Sequence, residues 1–318
     1  MKYILIALLV LVSMGEAFES ITPSLRIEIN GFAKDMVLRD KHLLIATDNG
    51  VVQVYDYVNE KFVKSITLPK VLDFMGDYIP PRVFSVDKMK GRYLLLSDSG
   101  KGGYANLWMH ENNVSTQLFS AKDKKAVIKA RFINKTQVLL AYLSNEAALF
   151  DLQSKKEIFR VQLSESKFSD FALNEDKTQA VFSCESGILS IIDTKSGHIL
   201  KLLKGVNVDN VYKVDFKQGV VATAGQDRRA GLYDVLLGTG TYIKGSFLIY
   251  ATGLSPSTKK VAFAMDENND ISIYERNTKM KIATLKGQKS TLNNIIFKDE
   301  NILFSSSDDS TVLMWKLP

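Results

Sequence analysis

The stretch VVATAGQDRRAGLYD, Val220–Asp234, predicts two short strands joined by a tight polar turn. Its first half is small and apolar, as a strand in a crowded interior must be, and its second half ends in an aromatic residue followed by an acid. The alternating segment Val211–Phe216 comes just before it and predicts an inner strand. An outer strand at about residues 241–247 would complete a four-stranded antiparallel sheet.

The pair of residues that ends this stretch recurs along the chain at a nearly constant interval. In each case an apolar or aromatic residue is followed by a polar one, except after Trp108, where Met109 is apolar. The first members of the pairs are Tyr55, Trp108, Phe150, Ile192, Tyr233, Tyr274 and Trp315, at intervals of 53, 42, 42, 41, 41 and 41 residues. A period of about 40–45 residues with four strands per unit is typical of WD40 propeller blades. We therefore expect an all-β, seven-bladed propeller.

The last repeat carries a closer resemblance to the WD40 family. Phe304–Trp315 resembles its consensus of small residues, an acidic turn and an aromatic strand end. Leu203–Gly205 and Leu285–Gly287 resemble the end of the outer strand, where the family places Gly-His, but Val206 and Gln288 stand where the histidine belongs. We therefore do not expect the family's histidine-centred hydrogen-bond network. The resemblance implies one propeller domain over residues 18–318 and a binding platform rather than an enzyme.

The two ends of the chain are expected to meet in one blade. The seventh repeat stops at Pro318 after its third strand, so its outer strand must come from elsewhere. The segment Leu25–Ile29 precedes the first inner strand and has a strand pattern. Pairing it with the last repeat would close the ring and remove exposed sheet edges.

Residues 1–17 predict a cleaved export signal. Lys2 is positive, Ile4–Val12 is an apolar run, and Gly15-Glu16-Ala17 offers small residues before cleavage at Phe18. The run is shorter than the roughly 20 residues that span a bilayer, which argues against a membrane anchor. We expect a periplasmic protein without a stable membrane anchor.

Bulk composition restricts the classes of function. The net charge is +6, and basic residues are spread over every repeat, so we expect no nucleic-acid partner. The single cysteine, Cys184, falls in a strand of the fourth repeat, where a buried, inert thiol is expected. The three histidines, His42, His110 and His198, fall in different repeats, so we expect no metal site and no catalytic residues. Nothing in the sequence calls for a cofactor.

The first interval contains roughly 11 extra residues, centred on the segment Pro69–Arg82 between the first and second repeats. Insertions in repeat proteins fall on loops of one face, often the binding face. Phe74, Tyr78 and Arg82 are the candidate contact residues, together with Arg228 and Arg229 in a turn predicted to lie on the same face. The alternative is that the segment folds over the rim and packs against its neighbour.

Two Asn-x-Ser/Thr sequons occur, at Asn113 and Asn134. The first is preceded by Glu111 two positions earlier, which resembles the extended acceptor pattern of bacterial periplasmic glycosylation. Asn113 is therefore the candidate glycosylation site.

The export signal, the size, the degenerate repeats and the lack of other domains resemble the NapL-type accessory proteins of bacterial periplasmic nitrate reductase systems. This resemblance implies a periplasmic, non-catalytic protein that supports nitrate reduction by docking on a reductase or its cytochrome. We also expect a monomer. One alternative is a general scaffold for envelope assembly. Another is a quinoprotein-like redox propeller, but such enzymes bring tryptophan-rich motifs, and this chain has two tryptophans.

Overall fold

The computed structural model describes residues 19–318. The predicted export signal, residues 1–17, lies outside these described residues and stays a prediction. The described chain begins with two short strands, β1 (Glu19–Ile21) and β2 (Leu25–Glu28), which belong to blades built mainly from the other end of the chain.

Each of the first three blades is an antiparallel sheet whose strands follow chain order from the propeller axis outward. Blade 1 contains β3 (Ala33–Arg39), β4 (His42–Thr47), β5 (Val51–Asp56) and β6 (Lys61–Thr67). A small hairpin follows, formed by β7 (Val71–Leu72) and β8 (Tyr78–Ile79). Blade 2 contains β9 (Val83–Met89), β10 (Arg92–Asp98), β11 (Ala105–Glu111) and β12 (Val114–Phe119), and a single 3-10 turn lies at Ala121–Asp123. Blade 3 contains β13 (Val127–Phe132), β14 (Gln137–Tyr142), β15 (Glu146–Asp151) and β16 (Lys156–Gln162).

The next three blades repeat this order. Blade 4 contains β17 (Phe168–Leu173), β18 (Gln179–Cys184), β19 (Leu189–Asp193) and β20 (Ile199–Leu203). Blade 5 contains β21 (Val211–Lys217), β22 (Val220–Gly225), β23 (Arg229–Asp234) and β24 (Thr239–Lys244). Blade 6 contains β25 (Ala251–Leu254), β26 (Lys260–Ala264), β27 (Ile271–Glu275) and β28 (Lys281–Leu285).

Blade 7 joins the two ends of the described chain. It contains β29 (Leu292–Phe297), β30 (Ile302–Ser307) and β31 (Thr311–Lys316), and β2 completes it by pairing antiparallel to β31. The prediction of a seven-bladed propeller closed by the segment 25–29 is therefore confirmed. Strand β1 adds a contact that the repeat does not predict, because it pairs in parallel with β28 and gives blade 6 a fifth strand.

The core lies between neighbouring blades, because every sheet buries both of its faces. Most residues of each second strand are buried, and all six residues of β22 are buried. Small residues such as Ala222 and Ala224 suit this position because the sheets crowd together near the axis. Larger buried side chains, including Trp315 and Tyr233, fill the wider space between the outer parts of the blades.

The inner strands share a β-bulge close to their start in six of the seven blades. The residues that follow the bulge are all polar: Asp35, Ser85, Lys129, Asp170, Lys213 and Asn294. A bulge re-aims the side chains beside it. In blade 1 the Asp35 carboxylate accepts a hydrogen bond from the backbone N–H of Val86 in blade 2, at 2.9 Å. Such a bond ties one blade to the next at the axis.

Three further aspartates tie neighbouring inner strands together in the same way. Each carboxylate accepts a hydrogen bond from a backbone N–H of the following blade. The pairs are Asp87 with Phe132 at 2.9 Å, Asp170 with Val214 at 3.2 Å, and Asp215 with Leu254 at 2.8 Å. Backbone N–H groups at the free edge of an inner strand would otherwise lack a strand partner.

Candidate binding face

One face of the propeller carries the turns between second and third strands and the connections from each outer strand to the next inner strand. The β7–β8 hairpin lies on this face, which we call the insertion face, and it is the connection between blades 1 and 2. Asp73 shapes its tip, because its side chain accepts hydrogen bonds from the backbone N–H groups of Met75 and Asp77, both at 2.9 Å. The backbone N–H of Asp73 also donates to the carbonyl of Asp77, at 3.0 Å.

The base of the hairpin packs against the turns of two blades. Gly50, in the turn of blade 1, lies so close that an added Cβ would stand 3.1 Å from Pro81. Gly100, in the turn of blade 2, has a φ of +73°, and an added Cβ would stand 2.3 Å from the carbonyl oxygen of Leu72. Only glycine fits this approach without displacing the backbone of the hairpin.

The tip of the hairpin is exposed. Phe74 is 93% exposed, Met75 75% and Tyr78 70%. The base of the segment therefore packs on its neighbours, as the alternative interpretation expected, while the aromatic side chains stay in solvent; their contact with a partner stays a prediction. A group of exposed aromatic and thioether side chains on an anchored loop is unusual for a surface without a partner.

Arg82 lies beside the hairpin but is partly engaged within the chain. Its guanidinium contacts the carboxylate of Asp98 at 3.4 Å and lies over the ring of Phe84, 5.9 Å from the centroid. More than half of its side chain remains exposed. Arg82 can therefore contribute charge to a contact at the base of the hairpin.

Arg228 lies in the turn between β22 and β23, and Arg229 begins β23. Both are on the insertion face, but on a blade that does not neighbour the hairpin. Arg229 donates to the carbonyl of Val206 at 2.8 Å and lies over the Tyr242 ring at 4.8 Å, so its guanidinium is held within blade 5. Arg228 is exposed, with a left-handed backbone. The structure thus brings Phe74, Tyr78 and Arg82 together and leaves the arginine pair as a separate feature.

Amide side chains replace the histidine of the WD40 network in two blades. In blade 7, Trp315 Nε1 donates to Ser305 Oγ at 2.8 Å, Ser305 donates to Gln288 Oε1 at 2.9 Å, and Gln288 Nε2 donates to Ser307 at 2.6 Å. The expectation from the sequence considered only a histidine-centred network and did not anticipate that an amide could form a similar one. Gln288 was correctly identified as the residue in the histidine's place, but an amide can also both donate and accept.

In blade 5 the amide comes from Asn207, one residue beyond the position that the sequence comparison assigned to the histidine. Asn207 Oδ1 accepts a hydrogen bond from Thr223 at 2.6 Å, and its Nδ2 donates to the Asp227 carboxylate at 3.1 Å. The sequence comparison placed Val206 at the histidine position, one residue before Asn207, and therefore missed this network. The amide, threonine and acid that form it are all visible in the sequence.

The residues considered for chemistry lie apart. His42 is in blade 1, His110 in blade 2 and His198 in blade 4, and Cys184 is buried at the end of β18, as predicted. Within residues 19–318 no group of three or more histidine, cysteine or acidic side chains is arranged to hold a metal ion. No helix among these same residues has the length and apolar character that crossing a membrane requires.

Asn113 is exposed in the two-residue turn between β11 and β12, on the face opposite the insertion. Its side-chain oxygen accepts a hydrogen bond from Lys64 of blade 1 at 2.8 Å. The hydroxyl of the sequon's Ser115 lies 2.9 Å from Nδ1 of His110. The second sequon also lies in a turn, where the Asn134 side chain accepts a hydrogen bond from the backbone of Thr136.

Comparisons with known proteins support the fold and go no further. No protein-family model matches this sequence, and no curated protein matches it. A chain in the crystal structure of the mitotic checkpoint complex is 14% identical with a TM-score of 0.75, covering 100% of this chain and 98% of its own. The β-propeller domain of Cps50 (Swd1) from Myceliophteria thermophila is 13% identical with a TM-score of 0.70, covering 93% and 99%. The chain is a seven-bladed, WD40-like propeller.

Proposed function

We propose that this protein is a non-catalytic, protein-binding accessory factor whose contact surface is the exposed tip of the β7–β8 hairpin. The observation that carries the proposal is the tip itself, where Phe74, Met75 and Tyr78 are each at least 70% exposed while the base of the hairpin is held by two blades. Aromatic anchors on a rigid support are the residues that dominate protein interfaces. Little ordering entropy would be lost when a partner binds such a preformed loop.

The comparisons are compatible with this role. One similar propeller was crystallised as part of the mitotic checkpoint complex, which is an assembly of proteins. For the present chain, the predicted export signal and the repeat pattern are the grounds for proposing a periplasmic location and a role beside a periplasmic nitrate reductase or its cytochrome. Arg82, next to the hairpin, would add a positive charge to an acidic partner surface.

The test is affinity capture of the tagged protein from its native envelope extract, followed by mass spectrometry. The test variant is Phe74→Ser/Tyr78→Ser. Its matched control is Leu236→Ser/Leu237→Ser, because these two leucines are 86% and 71% exposed in a turn of blade 5 on the opposite face. Both variants should fold normally, since neither removes a core residue.

Enrichment of a molybdenum-containing reductase or its cytochrome by the wild type and the leucine control, with loss in the Phe74/Tyr78 variant, supports the proposal. Envelope assembly factors in place of the reductase would favour a general scaffold. Capture that is unchanged by the Phe74/Tyr78 variant would show that the hairpin is not the contact surface. A purified protein that carries a coloured cofactor would instead favour a redox propeller.

A further inference from the structure

A cavity of about 320 Å³ lies at the propeller axis. The inner strands of six blades line it: β3, β13, β17, β21, β25 and β29. Its lining includes five basic residues, Arg39, Lys129, Arg131, Lys213 and Lys217, but only three acids, Asp35, Asp170 and Asp215. The volume is at the lower end of the range for small-molecule sites, and the excess positive charge favours an anion.

Four of the five basic residues have a carboxylate partner. Arg131 pairs with Asp35 at 2.8 Å, Lys129 with Asp170 at 2.6 Å, and Lys217 with Asp215 at 3.2 Å. The fourth, Arg39, pairs at 2.8 Å with Asp87, which lies beside the cavity lining. The side chain of Lys213 makes no hydrogen bond or ion pair with any residue between 19 and 318. The positive charge left over in the cavity is therefore that of Lys213.

The repeat explains why Lys213 has no partner. Lys129 and Lys213 both follow the bulge of their inner strand, in blades 3 and 5. Lys129 reaches the next blade, where Asp170 follows the bulge of β17 and accepts its hydrogen bond. Blade 6 has no bulge, and the corresponding ladder position of β25 is Ala251. Blade 6 therefore lacks the carboxylate that Asp170 provides at the same position of blade 4, and Lys213 has no acid to pair with.

A second, independent feature lies beside this position. Thr252 follows Ala251 in β25, lines the cavity and is only 5% exposed. Its hydroxyl is buried and has no hydrogen-bond partner within the described chain. Buried hydroxyl groups are nearly always hydrogen-bonded, so this one, at a cavity wall, has an unused capacity to bond with a ligand in the cavity.

The neighbouring charges also favour an added anion. Burial lowers the pKa of Lys129, and the charges of Arg131 and Lys213 lower it further, against the opposing effect of Asp170. Lys129 and Lys213 are thus close enough to repel each other. An anion beside Lys213 would relieve this repulsion.

We propose that the axial cavity binds a small oxyanion, a phosphate or a carboxylate, with Lys213 supplying the charge and Thr252 a hydrogen bond. Between blades 5 and 6 the ligand occupies the position that the Asp170 carboxylate occupies between blades 3 and 4. This site is separate from the hairpin, so it does not depend on the proposed protein contact.

The test is isothermal titration calorimetry of the purified protein at constant ionic strength, with inorganic phosphate in one series and succinate in the other. Lys213→Met removes the charge and keeps most of the stem, and Thr252→Val replaces the hydroxyl with a methyl of similar size. Lys101→Met, at an exposed turn position, is the control for net charge. Circular dichroism of each variant checks that the fold is retained.

Saturable binding of either anion, weakened about tenfold by Lys213→Met and about threefold by Thr252→Val, supports the site. Lys101→Met should bind as the wild type does. The stronger of the two titrations identifies phosphate or carboxylate as the preferred class. The proposal is overturned if neither anion binds saturably at millimolar concentration, or if binding is unchanged in both Lys213→Met and Thr252→Val. Because Thr252→Val is nearly isosteric, it remains informative even if Lys213→Met folds poorly.

Discussion

Arg131 of blade 3 donates a hydrogen bond to the Asp35 carboxylate of blade 1 at 2.8 Å, so one ion pair reaches across the intervening blade 2. Both residues are almost fully buried. The same guanidinium also donates to Ser85 of blade 2. Three consecutive blades are therefore joined at the axis by one side chain, in addition to their apolar contacts.

Replacing Arg131 with methionine should destabilise the protein by about 3–5 kcal/mol, because Asp35 would remain buried without its partner. Urea denaturation followed by circular dichroism would measure the loss. Arg228→Met, at an exposed turn, should change the free energy of unfolding by less than about 0.5 kcal/mol. Equal stability of the two variants would contradict the role of the Arg131–Asp35 pair.

The loss in the free energy of unfolding caused by Arg131→Met should depend on pH. Burial raises the pKa of Asp35, but the charges of Arg131 and Lys129 lower it more, so this pKa lies below its usual value. In the wild type the resulting stabilisation is present above the unfolded-state pKa and is lost as the pH falls through the folded-state pKa. Removing Arg131 raises the pKa of Asp35, so the stability gap between wild type and variant should be widest at neutral pH and narrow as the pH falls. A gap that widens in acid would contradict this assignment.

The closing strand should contribute to global stability through Ile27. This residue is 3% exposed and packs in the core between blades 7 and 1. Ile27→Ala should cost about 2–4 kcal/mol, whereas Ile158→Ala, at a half-exposed site on the outer strand of blade 3, should cost under about 1 kcal/mol. Chemical denaturation of the two variants compares the same substitution inside and outside the core. A small effect at Ile27 would mean that β2 is a dispensable addition to blade 7.

Attachment of the hairpin should depend on Gly100. An alanine there combines a strained φ of +73° with a Cβ only 2.3 Å from the Leu72 carbonyl oxygen. Gly103→Ala is the matched control, because its φ is +71° and its added Cβ would contact nothing within 4 Å. We expect trypsin to cleave after Lys70 faster in Gly100→Ala than in Gly103→Ala. Equal cleavage rates would show that backbone strain alone, and not the lost contact, governs this loop.

The amide network of blade 7 should contribute to its stability. Gln288→Ala leaves the hydroxyls of Ser305 and Ser307 with fewer partners in a dry interior and should cost about 1–3 kcal/mol. Gln153→Ala, at an exposed turn, should be nearly neutral. Unfolding can be followed by tryptophan fluorescence, because Trp315 belongs to the network and is one of only two tryptophans in the sequence. A neutral Gln288→Ala would mean that water replaces the amide.

Glycosylation should occur at Asn113 and not at Asn134. Asn113 is exposed in a strand-to-strand turn and is preceded by Glu111, which the second sequon lacks at the same offset. Intact-mass measurement of protein purified from its native host should show an added sugar that disappears in Asn113→Gln and persists in Asn134→Gln. An unmodified mass for the wild type would rule the modification out.

The blade architecture could be predicted from the sequence because it depends on local patterns repeated seven times. The aromatic strand ends at Tyr233 and Trp315, with small residues and a tight polar turn ahead of each, specify their blades without long-range information. The closing role of residues 25–29 followed by elimination. The exposure of Phe74 could not be predicted, because it depends on how closely Gly100 lets the hairpin approach its neighbour.

The features that escaped prediction depend on contacts between blades. Strand β1 pairs in parallel with an outer strand 264 residues further along the chain, from Glu19 to Ala283, and no local pattern indicates this pairing. The unpaired state of Lys213 becomes visible only when the inner strands are aligned by their bulges. The Arg131–Asp35 pair likewise joins residues that the repeat itself places on different blades.

The pairing of β2 with β31 has a consequence for how the protein is made. Ser24 donates a hydrogen bond to the carbonyl of Met314, 290 residues away, so the first strand of this blade leaves the ribosome long before its partner exists. Closure of the ring must await the synthesis of β31, and such distant contacts slow folding. A chain truncated before Thr311 would keep unpaired strand edges at both ends of an open ring. Such edges promote aggregation and expose the chain to proteases.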